Sequence, residues 1–195
     1  MALIKNYKLS GGASAPKLIH TNTGARITQQ WTCTKAGQLI IAAVSCGNGN
    51  PITSVSVTGN AVVLNDGSQY QIGGASIAVI LLKSVGDTVT IVQRADGNAI
   101  NGTMYVIDIS NYNYNNATLT DESSIDIPSN SIMLYWSSAV IKSINIATGT
   151  IVVAETRDMS DTTSYPMNLN VIASDNDAIT PTLNATPTHK LLVSF

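Results

Sequence analysis

The chain has 195 residues, enough for one domain with a sizeable core, and only 11% of them are charged. A net charge of −2, with lysines and arginines scattered singly, argues against nucleic acid, which requires clustered cations to displace counterions, and against electrostatic attachment to a membrane. No apolar run reaches the ~18–20 residues that span a bilayer, and Met1-Ala-Leu-Ile-Lys-Asn-Tyr-Lys8 lacks the apolar centre of a secretory leader, so a product made in a cytoplasm that keeps its N-terminus is expected.

The apolar fraction of 44% is that of a folding chain. With so few charges, the surface must be covered by Asn, Ser, Thr and Gly, which hydrate well but set up a weak field. The first residues differ from the rest. Gly11-Gly-Ala-Ser-Ala-Pro16 has little apolar company, so residues 1–29 read either as an arm that reaches a neighbouring subunit or as a plain, partly ordered terminus.

From residue 30 onward the pattern is that of strands. Lys35-Ala-Gly37 signals a turn and Gln38–Cys46 is a continuous apolar run. Ile52–Val57 alternates, Gly59-Asn60 punctuates, and Ala61–Leu64 follows. Ser76–Lys83 is again continuous and ends at Val85-Gly-Asp87. Thr88–Gln93 and Gly102–Ile109 complete the first half. Residues 110–130 are mostly polar and read as a long connection. The rhythm then returns in Ser131–Trp136, Thr150–Ala154, Leu169–Ala173 and Lys190–Phe195.

About ten short strands rich in Val, Ile and Thr predict an all-β fold, an antiparallel β-sandwich with jelly-roll-like character, over residues 30–195. The continuous runs at 39–44 and 77–82 suit strands covered on both faces, or covered at a subunit contact. Gly-x-(Leu/Ile)-(Ile/Val)-(Ile/Val)-Ala occurs at Gly37 and again at Gly149, a match too short to establish duplication.

Residues able to do chemistry are few. His20 and His189 are the only histidines, and neither has a second ligand at metal spacing. No phosphate-binding glycine motif is present. Asp121, Glu122, Glu155, Asp158 and Asp161 are the candidate carboxylates for glycoside hydrolysis, but they read as solvated loop groups. Asp175-Asn-Asp177 and Asp158…Asp161 offer hard oxygen ligands for calcium, or simply tight turns. Cys33 and Cys46 lie in strand-like runs and are expected as buried, unpaired thiols. No catalytic, cofactor-binding or metal-binding residue is therefore assigned.

The least ordinary segment is Asn111-Tyr-Asn-Tyr-Asn-Asn116. If it is extended, Tyr112 and Tyr114 face the same way, with Asn113 and Asn115 between and beyond them. Rings flanked by amides can stack on a surface glycan or on another protein. The simpler reading is that they cover the domain's own edge. Trp31 and Trp136 read as core anchors. Asn-x-Ser/Thr triplets at Asn101, Asn116 and Asn184 carry no meaning in a cytoplasmic product.

The layout of Ala36–Ser45, Val55–Gly59, Val85–Ile91 and Met104–Ser110, with the ending Leu-Leu-Val-Ser-Phe195, resembles that of β-sandwich accessory proteins of tailed bacteriophages. These are capsid decoration proteins, head fibres, and tail or baseplate components. The resemblance spans residues 30–195 and rests on strands and turns, so it transfers no site residue. It implies a non-enzymatic virion protein, made in the host cytoplasm, that contacts other capsid or tail proteins and forms a homo-oligomer. The alternative is a carbohydrate-binding or receptor-binding adhesin for host attachment, which would use Tyr112 and Tyr114 with Asn113 and Asn115.

Overall fold

The computed structural model describes residues 15–24, 28–45, 51–93, 101–137, 141, 143–157, 167–174 and 177–195. Residues 1–14, Cys46, Asp158, Asp161, Asp175 and Asn176 lie outside the described residues.

Each of the ten expected apolar runs forms a strand. In chain order they are β3 (Gln38–Ser45), β4 (Ile52–Thr58), β5 (Val62–Asp66), β6 (Ala75–Leu82), β7 (Thr88–Gln93), β8 (Asn101–Asp108), β10 (Ser131–Ser137), β12 (Thr150–Arg157), β13 (Met167–Ala173) and β15 (His189–Ser194). Five more are short or polar: β1 (Lys17–Gly24), β2 (Thr28–Thr32), β9 (Thr118–Asp121), β11 (Ile144–Asn145) and β14 (Thr182–Leu183). The sandwich therefore reaches back to Lys17: β1 pairs antiparallel with β8 across the stretch from Lys17↔Asp108 to Gly24↔Gly102. Residues 110–130 are likewise more than a connection, since they hold a 3-10 turn at Tyr114–Asn116 as well as β9.

The strands make two large antiparallel sheets, ordered β1-β8-β3-β6-β5 and β12-β13-β10-β15-β9, a small sheet β2-β7-β4, and a ribbon β11-β14. Alternate residues of a strand point to opposite faces, so a strand apolar at every position requires a layer on each side. Leu39, Ile41, Val79, Leu81, Tyr105 and Ile107 pack against Ile132, Leu134, Trp136, Val171, Leu191 and Val193 of the second large sheet. The alternate residues Ile40, Ala42, Ile80, Leu82, Met104 and Val106 pack against Val89 and Ile91 of the small sheet. Met133, Tyr135, Ile172 and Leu192, on the outer face of the second large sheet, are closed off by Ile127, Ile141 and Ile179, with Ile144 and Leu183 of the ribbon. The protein is thus four β-layers deep around three apolar cores. Each large sheet draws its strands from one half of the chain, and the jelly-roll-like character expected from the sequence is not confirmed by these strand orders.

The two halves share one connectivity. The first large sheet, β1-β8-β3-β6-β5, corresponds strand for strand to β9-β15-β10-β13-β12, and the antiparallel pair β4–β7 corresponds to β11–β14. The register agrees in detail. A bulge between Val63 and Asn65 of β5 faces Ile80 and Val79, and a bulge between Ile151 and Val153 of β12 faces Ile172 and Val171. Following the ladders outward from these bulges equates Ile40 with Met133, Val106 with Leu192, and Leu18 with Leu119. It also equates Gly37 with Asn130, and both have positive φ, +82° and +53°. Contacts across the central core are reciprocal, β1 with β12 and β5 with β9, as a two-fold relation between the halves requires. The repeated Gly37 and Gly149 motifs join unlike strands, because Gly149 precedes β12, whose counterpart is β5.

Gly37 is under two constraints: its φ is left-handed, and a Cβ there would lie 2.6 Å from the Tyr114 ring and 2.9 Å from Ser110 Cα. Gly37→Ala is predicted to cost more than about 1–2 kcal/mol in chemical denaturation, the ordinary penalty for a left-handed alanine plus the collision. Asn130→Gly, at the equivalent turn, is predicted to stay within about 0.5 kcal/mol of the parent. Equal losses at the two positions would refute this account of the turns.

Candidate functional site

The tyrosine–asparagine segment follows β8 and is built by local hydrogen bonds. Asp108 accepts from the Ser110 amide at 2.9 Å and from Lys35 Nζ at 2.9 Å, which turns the chain as β8 ends. The Ile109 amide donates to the Gly37 carbonyl and the Tyr112 amide to the Ile109 carbonyl, both at 2.9 Å. The segment is therefore curled, and its two rings have separate tasks. Tyr114 lies on the Cα of Gly37, where the missing side chain leaves room. Tyr112 stacks on Phe195 with centroids 4.8 Å apart and planes 5° apart, and its hydroxyl donates to the Ser174 carbonyl at 2.5 Å. Both rings are half-buried against the central core. Asn113 and Asn115 are exposed, and the Asn115 carbonyl accepts from Lys83 Nζ at 2.6 Å. Ring faces committed in this way close the end of the central core, between β8 and β9.

The two histidines belong to different sheets. His20, on β1, stacks on Trp31 with centroids 4.6 Å apart, and Trp31 Nε1 donates to Gln38 Oε1 at 2.8 Å. His189, on β15, sits 2.7 Å from Asp121 Oδ2 through Nδ1, while Asp121 Oδ1 accepts from the Lys190 amide at 3.0 Å. This Asp–His pair was not legible, because its members are far apart in sequence and β9 was not foreseen. An imidazole oriented by a carboxylate is one part of a nucleophilic triad. The pair, with the Lys190 amide bond to Asp121, ties the edge strand β9 to β15. Glu155 lies on β12 opposite Leu169, and Asp177 is exposed. Among the described residues no group of three His, Cys, Asp or Glu side chains is placed to hold a metal ion.

Two of the buried polar features bear on stability. Asp87, 3% exposed, accepts from the backbone amides of Asn60 (2.9 Å), Lys83 (2.9 Å) and Ser84 (2.8 Å), and so holds the β6–β7 turn and the β4–β5 turn together. Cys33 is a buried free thiol beside it. Desolvation pushes its pKa up, which leaves little thiolate for nucleophilic work. Asp87→Ala is predicted to cost about 2–4 kcal/mol by urea denaturation, because three amides lose their acceptor. A loss below about 1 kcal/mol would show that water replaces the carboxylate there.

Gln29 and Gln93 are each 1% exposed, and their amide oxygens and nitrogens have no hydrogen-bond partner. Both amides lean over Gly102, where a Cβ would stand 2.5 Å from Gln93 Nε2 and 3.0 Å from Gln29 Nε2. Two apolar groups of similar shape should suit this site at least as well. Changing both glutamines to Met is predicted to leave stability within about 1 kcal/mol of the parent or to raise it. A loss above about 2 kcal/mol would show that these amides are satisfied in solution.

A shallow groove of about 400 Å³ is lined by Pro181–Pro187 together with Ile125. Sequence reading did not single out this stretch, since Thr and Pro alternate with small apolar residues and imitate a loop. Among the described residues no helix is long and apolar enough to cross a membrane. Comparison with protein-family models, curated proteins and solved structures finds no match to this chain.

Proposed function

We propose that this protein is a non-enzymatic structural component of a bacteriophage virion, a capsid decoration, head-fibre or tail accessory protein that works through protein–protein contacts. The observation that carries the reading is the four-layer stack, whose central strands β3 and β6 are fully buried along their whole length. Such a stack presents rigid, weakly charged outer faces. The strand-and-turn resemblance described above supports the same reading, as does the low charge of a surface made of Asn, Ser and Thr. Many copies on one particle raise the strength of individually weak contacts. A homo-oligomer is part of the proposal.

Mass spectrometry of gradient-purified phage particles from the strain that encodes the chain is predicted to find the protein at many copies per particle. Light scattering on the purified chain is predicted to give a defined homo-oligomer. A monomer absent from particles would sink the proposal. Retention on immobilised glycans that is lost in the double variant Tyr112→Ala with Tyr114→Ala would move the assignment to the adhesin class.

A further inference from the structure

The two halves of the protein differ at one edge. In the first half, β7 has a strand on each side, β4 on one and β2 on the other. In the second half, among the described residues, β14 pairs with β11 on one side only, from Ile144↔Leu183 to Asn145↔Thr182. What survives of the missing strand is a single bridge, in which the Ile127 and Ile179 amides each donate to the other's carbonyl at 2.8 Å. This bridge stands where Cys33 meets Asp87, and Cys33 and Ile127 are both buried in the core beneath. Ile125 stands where Trp31 does, two residues earlier, and each packs on the rim of that core.

The rest of the strand is lost to geometry. The Glu122 amide still donates to the Lys190 carbonyl, so the chain has not yet left the second large sheet at that point. It must then cross to the outer layer before Ile125. The residues that would match Thr28–Gln30 are taken up by that crossing, and among the described residues the β14 edge at Leu183 is left without a neighbour strand.

The groove lies along this edge. Pro181 and Pro187 are buried and Leu183 and Ala185 half-buried, whereas Thr182, Asn184 and Thr186 between them are exposed. Over Pro181–Leu183 that is the alternation of a strand with one apolar face, and the chain then bends at Asn184–Ala185. The Ile179 amide and carbonyl point toward Ile127, so the same alternation turns the Leu183 amide and carbonyl outward along the open edge. The groove lining carries no charged side chain.

We propose that the β14 edge is a strand-docking site for a partner polypeptide. The occupant is an extended, weakly charged segment that adds antiparallel to β14 as β2 adds to β7. It pairs with the backbone of Leu183 and places one apolar side chain in the groove, opposite Leu183. The proposal stands on the unequal halves and not on the virion reading, so it holds wherever the protein acts.

The test uses the full chain and a fluorescein-labelled peptide with the sequence of residues 27–30 in which Gln29 is replaced by Leu, which stops short of the position that Ile125 holds. Fluorescence anisotropy is expected to show saturable binding with a Kd at or below ~1 mM. N-methylation of alternate peptide amides, which blocks backbone pairing and keeps the side chains, is expected to weaken binding about tenfold or more. Ala185→Lys in the chain, at a half-exposed position, is expected to do the same while far-UV circular dichroism and Tm stay unchanged. Absence of saturable binding overturns the proposal. Binding indifferent to N-methylation also overturns it, because the groove would then take any apolar group. Self-association abolished by Ala185→Lys, without peptide binding, would assign the edge to a second copy and overturn the partner-strand proposal. Particle mass spectrometry is independent of all these outcomes, so failure of the virion reading and failure of the docking site can be told apart.

Discussion

The constraint on which the rest depends is that both large sheets are apolar on both faces. A sheet with one wet face needs one covering layer, and a sheet such as β1-β8-β3-β6-β5 needs two. The large sheets satisfy each other through the central core. Their outer faces must then be closed from within the chain, by the small sheet on one side and by the ribbon with Ile127, Ile141 and Ile179 on the other. This explains how a chain with so little charge stays folded without exposing a broad apolar patch: the exposed large apolar side chains among the described residues are Ile19, Val62 and Val85, each alone. At turns and edges Asp87, Asp108 and Asp121 each serve a backbone amide.

The ten principal strands were legible because β-branched runs between Gly, Asn and Asp leave little choice of period. The continuous runs at 39–44 and 77–82 also announced strands covered on both faces, and both covers come from the same chain. Four of the five missed strands have a physical reason. Lys17-Leu-Ile-His-Thr-Asn-Thr-Gly24 is an edge strand whose exposed residues, Ile19 apart, are polar, and β9, β11 and β14 are too short for any period to show. The candidate segment at 111–116 was legible as unusual, but its shape was not. Its curl depends on Gly37 and on the C-terminal Phe195, both distant in sequence, and neither contact is written in the spacing of the tyrosines.

The shared connectivity of the halves was harder still to see, because it is preserved as burial and not as residue identity. Ala42 and Ala43 of β3 correspond to Tyr135 and Trp136 of β10. The inner position pairs a methyl group in one half with an indole in the other, and the outer position a methyl with a phenol. A close-packed interior tolerates such exchange only when neighbours compensate in volume. Trp136 reaches across the central core to donate to the Tyr70 carbonyl at 2.9 Å, so the larger residue also anchors one half to the other. Tyr135, fully buried, donates to the Ile125 carbonyl at 2.5 Å, and burial pushes its pKa far above the usual phenol range. The phenol thereby supports the short segment that replaces β2.

The treatment of edges makes the β14 edge stand out. An exposed strand edge invites unwanted pairing, and proteins blunt it with bulges or by keeping the strand short. Three of the four outer strands of the large sheets carry bulges: β1 between Leu18 and His20, β5 between Val63 and Asn65, and β12 between Ile151 and Val153. The fourth, β9, is four residues long and is clamped by the Asp121–His189 contact. In the small sheet the corresponding edge of β7 is covered by β2. Among the described residues the β14 edge has no bulge and no covering strand, and it borders an uncharged groove. Shortness is what guards this edge, and the backbone of Leu183 is the part of it that a docking strand would use.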